Sequence, residues 1–403
     1  MSAARGRIRP VAMMVHSYYD EDPRVRREAE SLVASGRPVD VYGLRRPGDE
    51  PSGVVEGVTV HRLDVQRHQG AGFAVYLLEY VSFLVRATLA LVGAQPRRHY
   101  ALVQVHSLPD FLVFAALPLK LVGVPVILDL HEAMAELFAM RFPALARWPL
   151  RQLIELQERI SAAVADRVLT VNQAMEARLL RLGIGRDKLT VVPNSPDLTR
   201  FDPAPHPRRS FRADGSLRVI YTGALTPTYE VDVAIEAIAL VAGRRPDLDV
   251  RLDLYGRGDM EPELRASAER LGIGDRTTFH GRVPFEAVPP AVAASDIGIA
   301  PTRRDTYTDS TLSTKVFEYG AMGKPVVASW LPLVESTFGD RVVTYPSGDA
   351  AAFAGAIIGL ADDPAGRTAQ VERLMAHVAE LSWASESGTY VGIVEELIAL
   401  RGR

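Results

Sequence analysis

Cysteine is absent from the 403 residues. That excludes a disulfide framework, a thiolate metal site and a cysteine nucleophile, and it fits a reducing cytoplasm. Lysine is scarce. Only Lys120, Lys188, Lys315 and Lys324 occur, and arginine supplies the other basic residues. Net charge is −3, so no general excess of positive charge draws the chain onto nucleic acid. No Gly-x-Ser-x-Gly elbow, Walker loop or His-x-x-x-His spacing occurs. Asp247-Leu248-Asp249 has the form of a metal-binding Asp-x-Asp, but it precedes a strand and so lies at the wrong end of a sheet for ligands. Gly70-Ala71-Gly72 lacks the third glycine and the acidic partner of a dinucleotide site. No metal and no cofactor is expected.

Long apolar runs are also few. Met1 to Pro10 is basic, but Val11–Val15 is too short for a signal sequence and reads as a first strand. Phe73 to Gly93 is almost long enough to span a bilayer. Glu79 and Arg86 interrupt it, and Arg at mid-membrane costs roughly 2.5–3.5 kcal/mol on insertion scales. The segment is therefore a buried helix, or an interfacial one that allows a peripheral contact with the inner membrane face.

What is present is alternation. Strand-like runs fall at 11–15, 38–43, 58–63, 102–106, 124–129, 167–171 and 189–192, with helical segments at 23–35, 73–93, 108–121, 149–165 and 173–182. A second series has strands at 217–221, 250–255, 277–279, 297–300, 325–328 and 342–345. Its helices lie at 231–242, 260–271, 285–294, 314–321 and 350–360. Such alternation predicts an α/β fold with two parallel, doubly wound sheets, ligands lying at the carboxyl ends of the strands. The aperiodic stretch from Asn194 to Ser216 reads as a linker. The expected organisation is 1–200, a linker at 201–216, a second domain at 217–382, and a final helix within 383–403.

One segment concentrates polar specialists. From Thr308 to Ser329 a hydroxyl-rich turn leads into a short apolar helix carrying Lys315 and Glu318, which stops at Gly323 before a buried strand. A helix N-terminus with a nearby cation is a natural seat for phosphate. A glutamate one turn on can accept from a vicinal diol such as a ribose.

Leu312-Ser313-Thr314-Lys315-Val316-Phe317-Glu318-Tyr319, followed by Gly323-Lys324-Pro325-Val326-Val327, resembles the donor motif of the retaining family 4 glycosyltransferases. The resemblance implies the GT-B fold: two Rossmann-like domains facing a cleft, with the C-terminal helix, after Trp383, crossing back to the first. It implies transfer of a sugar from a nucleotide donor (UDP, GDP or dTDP) to an acceptor hydroxyl. Polysaccharide, glycolipid or natural-product biosynthesis is the implied setting. Glu318 takes the ribose, and Ser310, Thr311, Leu312 and Lys315 face the diphosphate and sugar. Gly223, Gly256, Arg282 and Val283 line the nucleotide. Two positions depart from the family pattern. Ser310 stands where a glutamate is common, and no cation follows Gly223, where Ala224 stands in place of arginine. Arg303, Arg304, Arg257 and Lys315 are the candidates to balance the diphosphate.

His106 and His131 close successive strands on the ligand side, and each is either structural or functional. The family places such a histidine against donor sugar or acceptor. With Asp110 and Lys315 they form the expected catalytic set, although Asp110 equally suits a helix cap. Tyr18, Tyr19, Arg24 and Glu132 are the expected acceptor-binding residues. The competing reading of the first loop is a capped helix start, with Asp22 at the N-cap and Pro23 at N1. A sugar-nucleotide epimerase on the same fold, or a non-catalytic nucleotide-sugar-binding partner subunit, are the alternative functions.

Overall fold

A computed structural model describes residues 8–68, 72–142, 149–196, 198–206 and 209–401. Gly70 and Ala71, singled out above, lie outside the described residues, as do Asp197 and positions 207 and 208 within the aperiodic stretch. The chain divides into two compact units. Unit 1 comprises Met1–Asn194 with Ser385–Arg403, and unit 2 comprises Ser195–Ala384.

Among its described residues unit 1 carries eight strands: β1 (Val11–Met14), β2 (Val39–Leu44), β3 (Ser52–Val55), β4 (Val58–Leu63), β5 (Leu102–His106), β6 (Val126–Leu130), β7 (Arg167–Thr170) and β8 (Leu189–Val191). Their order is β3-β4-β2-β1-β5-β6-β7-β8. All pairs are parallel except β3 with β4. β1, β5 and β6 are buried along their whole length, as expected where helices cover both faces. The order reverses between β1 and β5, where Met14 is level with Val105, so the chain leaves both strands at the same edge of the sheet.

Unit 2 carries β9 (Leu217–Thr222), β10 (Val250–Tyr255), β11 (Thr277–Gly281), β12 (Ile297–Ala300), β13 (Val326–Ser329) and β14 (Val343–Tyr345). The sheet is parallel throughout, in the order β11-β10-β9-β12-β13-β14, and reverses between β9 and β12. Both sheets are thus doubly wound, as the alternation predicts.

The helix Trp383–Arg401 extends through the C-terminal part of unit 1. There Glu395 pairs with Arg37, and Arg401 reaches Asp166 at 2.7 Å.

Four features differ from the sequence reading. β3 forms a hairpin with β4 through Glu56 and Gly57, both at positive φ. A two-residue turn of this kind usually carries Asn-Gly or Asp-Gly, so Glu-Gly gave no signal. The segment 108–121 is a 3-10 run, Asp110–Ala116, followed by the short helix Leu117–Leu121. Pro118 has no N–H to extend a helix from before it. Helices at Met134–Arg141, Pro332–Phe338 and Pro364–Glu380 were not anticipated. The apolar helix runs past Gly93 to Arg98.

That helix, Phe73–Arg98, is long and apolar enough to cross a membrane, yet only 28% of its most apolar window is buried. Tyr76, Glu79, Phe83, Ala87 and Leu91 face inward. Leu78, Val81, Val85, Leu89 and Val92 form a second stripe that remains exposed, Leu78 and Leu89 by 71% and 67%. Both stripes follow the three-and-four spacing of a helix face.

Candidate active site

In unit 1 the site begins with helix geometry. Asp22 caps Pro23–Ala34 by accepting from the Val25 N–H at 3.2 Å. Residues one turn apart share a face, so Arg24 and Glu28 both turn inward. Arg24 donates through Nε and Nη2 to the two oxygens of Asp129, at 2.8 and 2.7 Å, and through Nη1 to the Val192 carbonyl at 3.1 Å. Its Nη2 also lies 3.2 Å from Glu28. On the other side of Asp129, His106 Nδ1 approaches Oδ2 at 3.0 Å. His131 follows β6, its N–H donating to Ser107 Oγ at 3.2 Å. The two imidazoles lie 6.3 Å apart, and the Nε2 atom of each is enclosed without a hydrogen-bond partner among the described residues.

Charge separates these groups. Burial alone would raise Asp129, but the charge of Arg24 and hydrogen bonds from His106 and Arg24 outweigh it, and the carboxyl is held well below the usual range. Burial pulls both histidines down. For His106 the bond to Asp129 and the charge of Glu28 win, and its pKa rises. For His131 burial wins, and its pKa falls. Neighbouring titratable groups pushed in opposite directions suit opposite proton roles. His106, Asp129 and His131 could each offer one atom to an ion, all within 4.8 Å of one another. Arg24, however, already occupies both Asp129 oxygens, and a cation there would have to displace it.

Other expected residues are placed differently. Arg24, expected toward an acceptor, is instead tied to Asp129 and has 3% of its surface exposed. Tyr19 is also enclosed. Tyr18 keeps some surface beneath the guanidinium of Arg46, 4.3 Å away, and Glu132 is half-buried. Asp110 neither caps a helix nor meets open space. The N-cap of its 3-10 run is Pro109, and both Asp110 oxygens are enclosed without a partner among the described residues. Burial, reinforced by the charge of Glu158, pushes its carboxyl well up. His16, beyond β1, was missed as a site residue. Its Nε2 lies 3.0 Å from Glu79, which also accepts from the His68 N–H at 2.8 Å. The signal was Glu79 itself, an acid in the middle of an apolar helix.

In unit 2 the β9 end is built around absent side chains. A Cβ on Gly256 would sit 1.7 Å from the Gly223 carbonyl oxygen, and one on Gly223 would lie 2.5 Å from Lys315 Cε. Both glycines have positive φ, at 143° and 149°. The space left at Gly223 is taken by the Lys315 side chain. Its ammonium lies 4.1 Å from the ring centre of Tyr229 and 5.3 Å from that of Tyr221. No hydrogen bond or ion pair reaches it among the described residues. The cation missing after Gly223 in the sequence therefore arrives from the helix Thr314–Ala321.

That helix starts open. Ser313, its N-cap, makes no side-chain capping bond, and its Oγ is enclosed and unpartnered among the described residues. The preceding turn holds itself. Asp305 accepts from the N–H groups of Tyr307 and Thr308 at 2.8 Å each, Ser310 Oγ donates to Tyr307 O at 2.8 Å, and Thr311 Oγ1 donates to Thr308 O at 3.1 Å. Leu312 and Glu318 are half-buried.

The arginines differ from Lys315. Arg303 pairs with Asp232 at 3.0 Å, and Arg304 with Asp309 at 2.9 Å while lying over Trp330. Both were expected on the diphosphate, and both already have carboxylate partners. Arg282 is exposed and Val283 half-buried, while Arg257 is exposed beside Gly281. Lys324 donates to the carbonyls of Ala293 and Ser295 at 2.7 and 2.6 Å and so serves the fold. Glu230, not noticed in the sequence, fastens the ends of β13 and β14. It accepts from Ser329, Tyr345 and Ser347 and from the Gly348 N–H, at 2.8–3.1 Å.

Known proteins resemble this chain in sequence and in fold. Residues 22–195 match the glycosyl transferase 4-like domain, and residues 216–363 match the glycosyl transferases of group 1. The D-inositol 3-phosphate glycosyltransferase of Arthrobacter sp. strain FB24 is 25% identical over 371 residues, covering 89% of this chain and 86% of the relative. Sucrose-phosphate synthase from Thermosynechococcus elongatus superposes with a TM-score of 0.76 at 18% identity, over 97% of this chain and all (100%) of that one. Anabaena HepE in complex with UDP-glucose gives 0.70 at 14% identity, over 96% and 100%. With each unit matched by its own part of the family and each built on a doubly wound sheet, the chain belongs to the retaining family 4 glycosyltransferases of the GT-B fold, enzymes that move a sugar from a nucleotide donor to an acceptor hydroxyl.

Proposed function

We propose that the donor diphosphate sits on Lys315 and on the open N-terminus of the helix Thr314–Ala321, with Glu318 accepting from the ribose hydroxyls. The observation that carries this reading is the Lys315 ammonium, lodged against Gly223 beside aromatic faces and without a hydrogen bond or ion pair among the described residues. A cation so placed is oriented before the ligand arrives, and oriented charge is most effective where negative charge develops. In retaining transfer the bond from the anomeric carbon to the phosphate oxygen breaks. The acceptor oxygen bonds to that carbon on the same face, and its proton passes to the departing phosphate. Lys315 and the helix N–H groups take up the charge that develops on the diphosphate. In unit 2 Gly223, Gly256, Arg282 and Val283 line the nucleotide; in unit 1 His106 and His131 are the candidate catalytic residues.

A UDP-sugar is the first candidate donor, ahead of GDP- and dTDP-sugars, since HepE has been captured with UDP and UDP-glucose. The deciding experiment is a thermal-shift panel of UDP, GDP, dTDP, ADP and CDP with their common sugars. A ligand that binds only the native state raises the midpoint by mass action. The expected result is a rise for UDP, enlarged by one sugar and lost in Lys315→Ala. No rise with any nucleotide would overturn the donor site.

For the acceptor, the second apolar stripe on Phe73–Arg98 favours a hydroxyl on a lipid-carried glycan, with the protein peripheral at the inner membrane face. An apolar face of this kind, with Arg86, Arg97 and Arg98 on the same helix, suits an interfacial position on anionic lipid. A soluble, phosphorylated polyol is the second reading, favoured by the D-inositol 3-phosphate glycosyltransferase relatives. Sedimentation with anionic liposomes at low salt separates the two. Binding that is lost in Leu78→Asp/Leu89→Asp supports the first, and no binding supports the second.

A further inference from the structure

The ion pairs around Arg24 do not end at Glu28. Gln104, on β5, donates through Nε2 to Glu28 Oε2 at 2.5 Å, and its Oε1 accepts from the Tyr390 hydroxyl at 2.8 Å. Tyr390 lies on the C-terminal helix, Trp383–Arg401. The result is one continuous polar chain: Tyr390, Gln104, Glu28, Arg24, Asp129, His106. Glu28, Gln104, His106, Asp129 and Tyr390 have no exposed surface, and Arg24 has 3%. It is assembled from positions 24, 28, 104, 106, 129 and 390, yet all of it lies within unit 1.

A fully enclosed polar chain of this length is an expensive way to fill a core. Apolar residues of similar size would be as stable or more so, because desolvating several charges offsets most of what they gain from each other. What the chain does supply is direction. Both guanidinium bonds of Arg24 fix Asp129 in plane, and Asp129 fixes the tautomer and tilt of His106 by engaging Nδ1. The remaining nitrogen, Nε2, has no hydrogen-bond partner among the described residues. Glu28 and Gln104 in turn leave Arg24 a single orientation.

We infer that Glu28, Gln104 and Tyr390 are positioning residues for His106, and that the seating of the C-terminal helix sets the orientation of its imidazole. The inference rests on the proposed role of His106 in transfer. The groups facing His106 are Asp129 and Arg24, Glu28 and Asp22 from the first helix region, and His131. Tyr390→Phe removes a single oxygen that touches neither substrate nor His106.

The test is run on the full chain. Nitrogen-15 spectra of labelled histidine report the tautomer and titration of His106, assigned with His106→Gln. Transfer of the donor sugar to water, followed by nucleotide release, reports turnover without a known acceptor. In Tyr390→Phe and in Gln104→Met the expected result is a shifted His106 titration. Turnover is expected to fall about tenfold or more at unchanged donor KM. Gln104→Glu, which keeps an acceptor for Tyr390 but repels Glu28, should shift the titration further. An unmoved His106 signal in Tyr390→Phe and Gln104→Met would overturn the coupling, whatever the activity. A shifted signal with unchanged turnover would overturn the positioning role. If His106→Gln itself turned over normally, the proposed role of His106 would fail while the physical coupling could still be observed.

Discussion

The two units treat buried charge in opposite ways. In unit 1 Arg24 lies between Asp129 and Glu28, and each carboxylate has a further partner in His106 or Gln104. In unit 2 Lys315 is almost as buried, at 8% exposure, and among the described residues its ammonium has no carboxylate partner and lies by the rings of Tyr221 and Tyr229. In the first arrangement the charge of Arg24 is met by carboxylates of the protein itself. The second leaves a cation with free hydrogen-bonding capacity beside an uncapped helix start. Neutralised charge makes a rigid frame, and charge left open makes a binding site. The same residue class, a buried base, thus serves the fold in one unit and, in the proposed donor site, meets the diphosphate in the other.

The sharpest way to break this comparison is to remove one charge from each side. Asp129→Ala leaves Arg24 enclosed without its carboxylate, and losing one partner of a buried pair typically costs about 3–5 kcal/mol. Chemical denaturation should show a loss of that size, or a protein that no longer folds. Lys315→Ala should move the denaturation midpoint little. Its turnover should fall by about 10²–10³, the usual cost of losing one oriented group opposite developing charge. A large stability loss in Lys315→Ala with normal turnover would reverse the assignment.

The pH dependence of unit 1 offers a finer test. Burial, then the charge of Asp129, push the Glu28 carboxyl up to about 7 against the opposing charge of Arg24. A carboxyl raised on folding contributes stability that is present below its unfolded value and is lost as pH rises through the folded value. Wild type should therefore lose stability between about pH 5 and pH 8 relative to Glu28→Gln. The difference should be on the order of 1–3 kcal/mol. Parallel stability–pH curves for the two proteins would show that Glu28 ionises normally. The smallest effect is expected for Arg304→Ala. Its pair with Asp309 is exposed, and such pairs contribute about 0–1 kcal/mol. Donor affinity should fall far less than in Lys315→Ala. An equal fall would place Arg304 on the diphosphate after all.

Much of the fold is legible in the sequence because a parallel sheet covered on both faces demands largely apolar strands; β1 and β12 are continuous runs of this kind, and β5 and β6 are apolar but for Gln104, His106 and Asp129. The antiparallel β3 is not, since its register depends on a Glu56-Gly57 turn that carries no strong signal. The site divides in the same way. Lys315 and Glu318 stand out because the turn, the helix start and both side chains are contiguous. The partner of Lys315 is invisible in the sequence. The missing cation after Gly223 can be seen, and Lys315 stands among the candidates to replace it, but it cannot be seen that its side chain lies against Gly223 beside Tyr221 and Tyr229. Arg24 draws notice as a residue of the first loop, but Glu28, Gln104, Asp129 and Tyr390 each look ordinary alone: a helix interior, a strand interior, a late tyrosine. Only the order of strands in the sheet brings them together.

Unit 1 is discontinuous in the chain, and that affects how the protein is made. Its first part leaves the ribosome early, but the Tyr390 hydroxyl, Glu395 and Arg401 emerge only after all of unit 2. At roughly 5–20 residues per second, translating the intervening unit takes on the order of ten seconds or more. Throughout that interval Gln104, Arg37 and Asp166 lack their C-terminal partners, while unit 2, continuous in sequence, can complete its own sheet. The unit begun first is therefore finished last, and a chain truncated before its last helix would leave the earlier-made half permanently incomplete.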